Sequence, residues 1–362
     1  MQRRKFLKTV GAGAAGVAAA PFVSSAQAQE TLTWDMVTSW PRNFPVLGTG
    51  ANEFAKRIEE LSDGRMRIRV HGAGELVPAM EVFDAVAAGT AEMGHSAAYY
   101  WRGKLAASQF FTAVPFGMNT TETNAWLYHG GGQELWDEIY AKHNLKPFAV
   151  GNTGTQMAGW FKKEIHSLSD MQGIRLRLPG LAGEAMNRIG VTTVNMPASE
   201  IFTSLQTGVL DAADWVGPYN DMALGLHQVA DYYYTSVWNE PSAVLEGTVN
   251  LAAWNALPDD LKAVVREAAK ASNLAMISEF AYRNAQALET LVEEHGVQLR
   301  TFPEDVMAAL YEASTEVLQA QVASDPESKQ VYDSYLAFQK LVRPFSDVGE
   351  YSYLKGRDTV GA

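Results

Sequence analysis

The 362-residue chain contains no cysteine. Disulfides, thiolate metal clusters and thiol nucleophiles are therefore excluded. Positive charge is also scarce. The chain has 29 Lys plus Arg against 41 Asp plus Glu, a net charge of −12, which lacks the basic footprint of a nucleic-acid binder. Beyond the N-terminal region no run approaches the roughly 18 apolar residues of a membrane-crossing helix. Catalytic templates are missing as well. There is no Gly-x-Ser-x-Gly elbow, no His-Glu-x-x-His and no Gly-x-x-x-x-Gly-Lys-Ser/Thr phosphate loop. The seven histidines, at 71, 95, 129, 143, 166, 227 and 295, lack ligand spacing. With 41 acids some carboxylate pair is certain, so pairing alone does not indicate glycosidase chemistry. What remains is 47% hydrophobic and 19% charged, the balance of a packed globular protein of about two domains.

The N-terminus reads as an address. Arg3-Arg4-Lys5-Phe6-Leu7-Lys8 is a charged segment with a twin arginine. A weakly apolar Gly/Ala run follows from Thr9 to Val23, then Ala26-Gln27-Ala28, a small-x-small cleavage site. We expect residues 1–28 to be a twin-arginine signal peptide and the mature protein to be periplasmic. No cysteine follows the site to carry a lipid anchor. Gly11, Gly13 and Gly16 spell the dinucleotide fingerprint, but no strand precedes them and no βαβ unit surrounds them. Removing 1–28 takes away four basic residues and no acid, leaving 25 basic against 41 acidic and a net charge of −16.

The remaining pattern alternates strands and helices. Leu32–Val37 reads as a strand, and Ala51, Phe54, Ala55, Ile58 and Leu61 recur at helical spacing. Met66, Ile68 and Val70 alternate with Arg67 and Arg69 as a second strand. A helix at Glu81–Ala88 and a strand at Met93–Ala97 complete the first cycle. A second cycle has strands at Phe148–Val150, Met157–Lys162 and Ile174–Leu178, with helices at Gly183–Ile189 and Glu200–Thr207. Such alternation predicts an α/β fold of two lobes with open, mainly parallel sheets. After the strand Val244–Asn250, Pro258 to Glu294 contains no internal Pro or Gly and predicts one helix of about 55 Å. That length exceeds one lobe, so the helix spans both or reaches a partner. Val306–Ala323 and Ser328–Leu341 read as C-terminal helices. The expected division is 29–150 with about 241–275 for lobe I, 151–240 with about 276–325 for lobe II, and a helical tail at 326–362.

Candidate chemistry lies in the middle of the chain. Ile174-Arg175-Leu176-Arg177-Leu178 sets two arginines on one face of a short strand. Composition leaves two readings open: a solvated strand face, or an arginine held near the cleft, whose fork suits a small carboxylate. Tyr99-Tyr100-Trp101 follows the third strand of the first lobe, where strand ends of open α/β sheets face the ligand crevice.

The arginine segment Asp170–Gly180 resembles that of the DctP-like substrate-binding subunits of TRAP (tripartite ATP-independent periplasmic) transporters. Gly72-Ala73-Gly74-Glu75-Leu76-Val77-Pro78 and Glu200–Ala212 carry the same resemblance, which covers essentially the whole mature chain. Three stretches resemble the 2-oxo acid (pyruvate) branch: Gly151–Phe161, Asp214–Asp221, and Trp238-Asn239-Glu240-Pro241. The resemblance implies a two-lobed binding protein that closes on a small 2-oxo monocarboxylate and a metal cation, sodium or calcium. It implies Arg177 as carboxylate clamp and Gln156 as a ligand to both ion and substrate. Asp214, Trp215 through its carbonyl, and Glu240 would complete the ion's shell, and Tyr100 would cover the ligand. Hard cations take such oxygen donors. It also implies delivery to TRAP membrane subunits, no enzymatic step, and a homodimer built on the C-terminal helices. Glu240-Pro241 and Asp214 depart from the pattern expected of close relatives, which leaves acid selectivity open. Two alternatives stand beside this reading. One keeps the fold but binds a hydroxy acid such as lactate, a C4-dicarboxylate or an aromatic acid. The other is an exported metal-dependent hydrolase or lyase.

Overall fold

A computed structural model of the chain describes residues 31–235 and 237–361. The signal segment read at 1–28 lies outside the described residues. Strand β1 (Leu32–Thr38) buries Trp34 and Met36, and lies parallel to β2 (Met66–His71) in the register Trp34 to Ile68 and Met36 to Val70. The helix Leu47–Leu61 between them turns Ala51, Phe54, Ala55 and Ile58 inward, the spacing of one helical face. Asp63 and Gly64 then take positive φ and end it. β3 (Met93–Ser96) pairs parallel on the other side of β1, and β4 (Leu145–Asn152) follows two helices later.

The chain then builds a second sheet from β5 (Gly159–Phe161), β6 (Arg175–Arg177), β7 (Thr192–Val194), β8 (Ala212–Ala213) and β9 (Tyr232–Tyr234). β10 (Val244–Asn250) returns to the first sheet, and β11 (Gln298–Arg300) adds to the edge of the second. The sheet orders are β2-β1-β3-β10-β4 and β11-β9-β5-β8-β6-β7. This is a two-lobed α/β architecture. The lead of parallel pairing is narrow, five pairings to four, because β10 runs antiparallel to β3 and β4, and β5 antiparallel to β8 and β9. The antiparallel pairings all involve β5 or β10, the strands that begin just after the chain has crossed from one sheet to the other.

The two crossing segments run side by side. Thr153 donates its N–H to the Ala243 carbonyl (3.0 Å), Gln156 to the Glu240 carbonyl (3.1 Å) and Ala158 to the Tyr234 carbonyl (2.8 Å). Asn152 Nδ2 adds a bond to Ser242 Oγ at 2.9 Å. The helix Asp259–Glu293, 35 residues or about 53 Å long, spans both lobes. Its Leu261, Val265, Ala268 and Ala269 pack in the first core, and Met276, Phe280 and Leu291 in the second.

Two helices escape the sequence pattern: Thr120–His129 and Gly132–Ala141. The first opens on a capping box in which Asn119 accepts from the Glu122 N–H and Glu122 accepts from the Asn119 N–H. The C-terminal helices are Glu304–Ser324 and Pro326–Ser346, and a further helical stretch runs to Val360. Met118 N–H to Tyr335 Oη (2.6 Å) and Trp126 Nε1 to Ser334 Oγ (3.2 Å) anchor the second of these helices. Among the described residues no helix is long and apolar enough to cross a membrane.

Candidate functional site

The strand pair β6–β8 separates the two arginines. Arg175 is exposed and forms two 2.8 Å bonds to Asp211. Arg177 is wholly buried at the other end of the strand. Its Nη1 donates to the Asp214 carbonyl (2.8 Å), its Nη2 to Tyr100 Oη (3.3 Å) and its Nε to the Met196 carbonyl (3.4 Å). A guanidinium carries five N–H donors, so each terminal nitrogen retains one N–H beyond these bonds. Two N–H groups are thus left for an anion, and a carboxylate is the partner that takes two. The guanidinium also lies 5.0 Å from the Trp215 ring centre, a cation–π contact.

The other sequence candidates gather around this arginine. Gln156 lies on the first crossing segment and Glu240 on the second; Asp214 follows β8, and Tyr100 follows β3 in the opposite lobe. Gln156, Asp214 and Glu240 are all buried. Gln156 spends its Nε2 on Thr153 Oγ1 (3.1 Å), and Asp214 Oδ1 accepts from Asn239 Nδ2 (3.3 Å). Gln156 Oε1, Asp214 Oδ2 and Glu240 Oε2 have no hydrogen-bond partner. Buried unpaired oxygens are costly and rare. Asp214 and Glu240 act directly on Arg177, and Gln156 is tied to Glu240 through its main-chain N–H, so the three oxygens belong to one acceptor-rich region, the chemistry a hard cation takes. Among the described residues no three His, Cys, Asp or Glu side chains converge on a metal position. The unpaired side-chain atoms are two carboxylate oxygens and an amide oxygen, donors that could hold sodium or calcium rather than zinc.

Electrostatics agree. Burial, against the pull of Arg177, pushes the Asp214 carboxyl up to about 7. Burial and then the Asp214 charge push Glu240 well above the usual carboxylate range. One cationic side chain thus faces two acids whose burial favours the proton, and ionising both beside an anionic ligand calls for a further positive charge.

Several contributors carried no signal of their own in the sequence. Trp40, on the loop after β1, packs edge-on to Trp215 (6.3 Å between ring centres) and lies 6.2 Å from Tyr100. Its Nε1 donates to His95 Nδ1 at 2.7 Å, and burial lowers His95 to about 3, which keeps the ring neutral. Phe44 closes on Trp215 from the same lobe (6.2 Å). Asn239 was visible only as part of a motif. Arg177 to Tyr100, Asn220 Nδ2 to the Pro45 carbonyl (2.9 Å) and Arg102 to Glu184 all join one lobe to the other. The cleft is closed. A cavity of ≈ 230 Å³ lined by Tyr99, Tyr100, Gly180 and Asn195 lies along its seam. Gly180 has φ +68°, and a Cβ there would approach Tyr99 Cβ to 3.4 Å.

A two-lobed fold closed over one buried arginine and oxygen donors is the arrangement of a solute receptor. The sequence profile of the DctP family, bacterial extracellular solute-binding proteins of family 7, matches residues 36–325. The chain belongs to this family. A monocarboxylate 2-oxoacid-binding periplasmic protein of Nostoc sp. is 42% identical over 360 residues, 98% of either chain. A TRAP periplasmic solute-binding protein of Pseudoalteromonas atlantica, solved with bound sodium and pyruvate, is 40% identical with a TM-score of 0.87 over 90% of this chain and 99% of its own. A TRAP solute-binding protein of Bordetella bronchiseptica, solved as a mixed-occupancy dimer with calcium and picolinate bound, is 36% identical with a TM-score of 0.89 over 91% and 98%. Members of this family are extracytoplasmic solute-binding proteins of transport systems. This receptor shares their architecture along nearly its whole described length.

Proposed function

We propose that the protein captures a small 2-oxo monocarboxylate of the pyruvate class with a metal cation, sodium or calcium, by lobe closure. It then delivers the acid, unchanged, to the membrane subunits of a TRAP transporter. The observation that carries this reading is the buried Arg177 facing two acids with unpartnered oxygens, Asp214 and Glu240, with Tyr100 reaching it from the opposite lobe. In this reading Arg177 takes the ligand carboxylate, Tyr100 covers it, and Gln156, Asp214, the Trp215 carbonyl and Glu240 hold the ion. The cation supplies positive charge against Asp214, Glu240 and the ligand, together with chelation of the carboxylate and keto oxygens.

The ligands of the relatives support that chelate. Pyruvate presents a carboxylate oxygen and a keto oxygen two carbons apart. Picolinate presents a carboxylate oxygen and a ring nitrogen at the same separation, so both close a five-membered ring on a cation. Succinate, an unsubstituted C4-dicarboxylate, lacks that pair of donors, and lactate retains it with a hydroxyl.

We assign lobe I to 29–150 and about 241–275 and lobe II to 151–240 and about 276–325, with closure as a hinge across the paired crossing segments. We also infer export by the twin-arginine signal at 1–28 and a homodimer through the tail from 326. Leu341, Phe345, Val348 and Tyr353 are each at least 68% exposed there, an apolar face that a second copy would cover.

The test is a tryptophan-fluorescence titration with pyruvate, 2-oxobutyrate, lactate and succinate, each with sodium, with calcium and with a chelator. We expect saturation at one equivalent of 2-oxo acid, dependence on the cation, and recovery of the ligand intact. Tighter succinate than pyruvate binding, or turnover of the acid, would replace this reading with one of the alternatives.

A further inference from the structure

We infer that Asp221, a residue outside the ligand clamp, is a positioning residue that fixes the Trp215–Val216 peptide and so sets the strength of cation binding. The inference rests on the proposed ion site, in which the Trp215 carbonyl is a ligand. Asp221 lies in the first turn of the helix Pro218–Ala223 and is 1% exposed. Its Oδ1 accepts the Val216 N–H (3.0 Å) and the Gly217 N–H (3.1 Å). Its Oδ2 accepts Trp160 Nε1 (3.0 Å) and Tyr233 Oη (2.7 Å). All four partners act as donors, and a carboxylate alone among side chains of this size accepts four bonds and donates none. Trp160 and Tyr233 are fully buried neighbours on β5 and β9, with rings stacked 4.0 Å apart, so the carboxylate is tied to the sheet.

The consequence follows from peptide geometry. In a planar trans peptide the N–H and the preceding C=O point in opposite directions. Pinning the Val216 N–H on Asp221 therefore turns the Trp215 carbonyl away from Asp221. Among the described residues that carbonyl accepts no hydrogen bond. Its neighbours are all engaged. The Asp214 N–H donates to the Arg177 carbonyl and its carbonyl accepts from Arg177 Nη1, and the Val216 carbonyl accepts the Met157 N–H (3.3 Å) beside Gln156. The stretch 214–217 is thus clamped at one end by the arginine and at the other by Asp221, with one main-chain carbonyl unpartnered among the described residues between them. Pre-set donors of this kind govern metal affinity because the ion then need not reorganise the loop.

The experiment separates the ion from the organic ligand. Asp221→Asn keeps the shape but turns an NH2 toward two of the four donors. Calcium is titrated at fixed pyruvate, and pyruvate at saturating calcium, both by tryptophan fluorescence, with a circular-dichroism melt of each protein. We expect the calcium midpoint to rise about 10–100-fold, the usual effect of losing such a support. Pyruvate affinity at saturating calcium should hold within about threefold, because Arg177 is untouched. An unchanged calcium midpoint overturns the inference. So does an equal loss of pyruvate affinity at saturating calcium, the mark of general structural damage. Should Asp221→Asn not fold, Tyr233→Phe removes one donor from Oδ2 and leaves both loop bonds. It should raise the calcium midpoint by a smaller factor, and no rise at all overturns the inference. If the unmodified protein binds pyruvate equally well in chelator and without sodium, the ion-site reading itself fails, a distinct outcome.

Discussion

Arg177 and the Asp214 main chain grip each other: the Asp214 N–H donates to the Arg177 carbonyl at 2.9 Å, and the Arg177 side-chain Nη1 donates to the Asp214 carbonyl at 2.8 Å. The clamp and the loop beside it are therefore one unit. Their carboxylate contact is looser, 4.0 Å from Nη1 to Oδ2. The arginine is oriented mainly by carbonyls, which leaves its charge available to an anion.

Arg177→Lys tests that geometry while keeping the charge. A lysine cannot hold the Asp214 carbonyl and also offer two parallel N–H groups to a carboxylate. Two charged hydrogen bonds at about 1.5–3 kcal/mol each correspond to at least about a 100-fold loss of pyruvate affinity. Calorimetry measures it. Pyruvate binding as tight as in the unmodified protein would remove Arg177 from the role of clamp.

Glu240→Gln tests the cation. Glu240 is buried with an unpartnered Oε2, and the substitution keeps an oxygen while deleting one charge. Carboxylate count tunes the affinity of calcium sites. We expect the calcium midpoint for pyruvate binding to rise by about tenfold or more, with a smaller change for monovalent sodium. Parallel fluorescence titrations with the two ions give the comparison, and identical midpoints for both proteins would place Glu240 outside the ion's shell.

Much of this architecture was legible in the chain because local pattern and tertiary role coincide. Trp34, Met36, Ile68 and the Ala51–Ile58 face are periodic and also buried. Pattern did not separate Arg175 from Arg177, two residues apart on one short strand. The pairing with β8 and the approach of Tyr100 from the other lobe bury only the second, and both contacts are long-range. Trp40, Phe44 and His95 were unreadable for the same reason: closure brings them to the site, and nothing within tens of residues announces it. The helix Thr120–His129 was missed because its Thr-Thr-Glu-Thr-Asn start lacks apolar spacing, although Asn119-x-x-Glu122 was a signal that could have found it.

The tail makes a claim about assembly. Leu341 and Phe345 project 74–75% exposed from a helix whose earlier Val331 and Tyr335 are buried, and Val348 is as exposed in the stretch that follows. A double substitution, Leu341→Asp with Phe345→Asp, should convert a dimer to a monomer in sedimentation velocity at micromolar concentration. Pyruvate affinity should stay within about threefold, since neither residue touches the cleft. A monomeric unmodified protein would refute the dimer.

Glu246 supplies a pH signature independent of the ligand. It lies on β10, wholly inside the first lobe, and accepts from Trp101 Nε1 (2.5 Å) and Tyr140 Oη (2.8 Å). Burial outweighs both bonds and pushes its carboxyl from 4.5 up to about 7. The folded state therefore holds this proton more tightly than the unfolded chain does. The resulting stabilisation is complete below pH 4.5, declines as pH rises toward 7, and is gone above it. A shift of that size corresponds to about 3 kcal/mol. Glu246→Gln is neutral throughout and should lose this slope, while Asp214, Asp221 and Glu240, common to both proteins, cancel in the difference. Urea unfolding at pH 5, 6, 7 and 8 should show the unmodified protein losing about 2.5 kcal/mol more than the variant between pH 5 and 8. Parallel stability curves would mean that Glu246 titrates in the fold as it does in the unfolded chain, and that Trp101 and Tyr140 fully offset its burial.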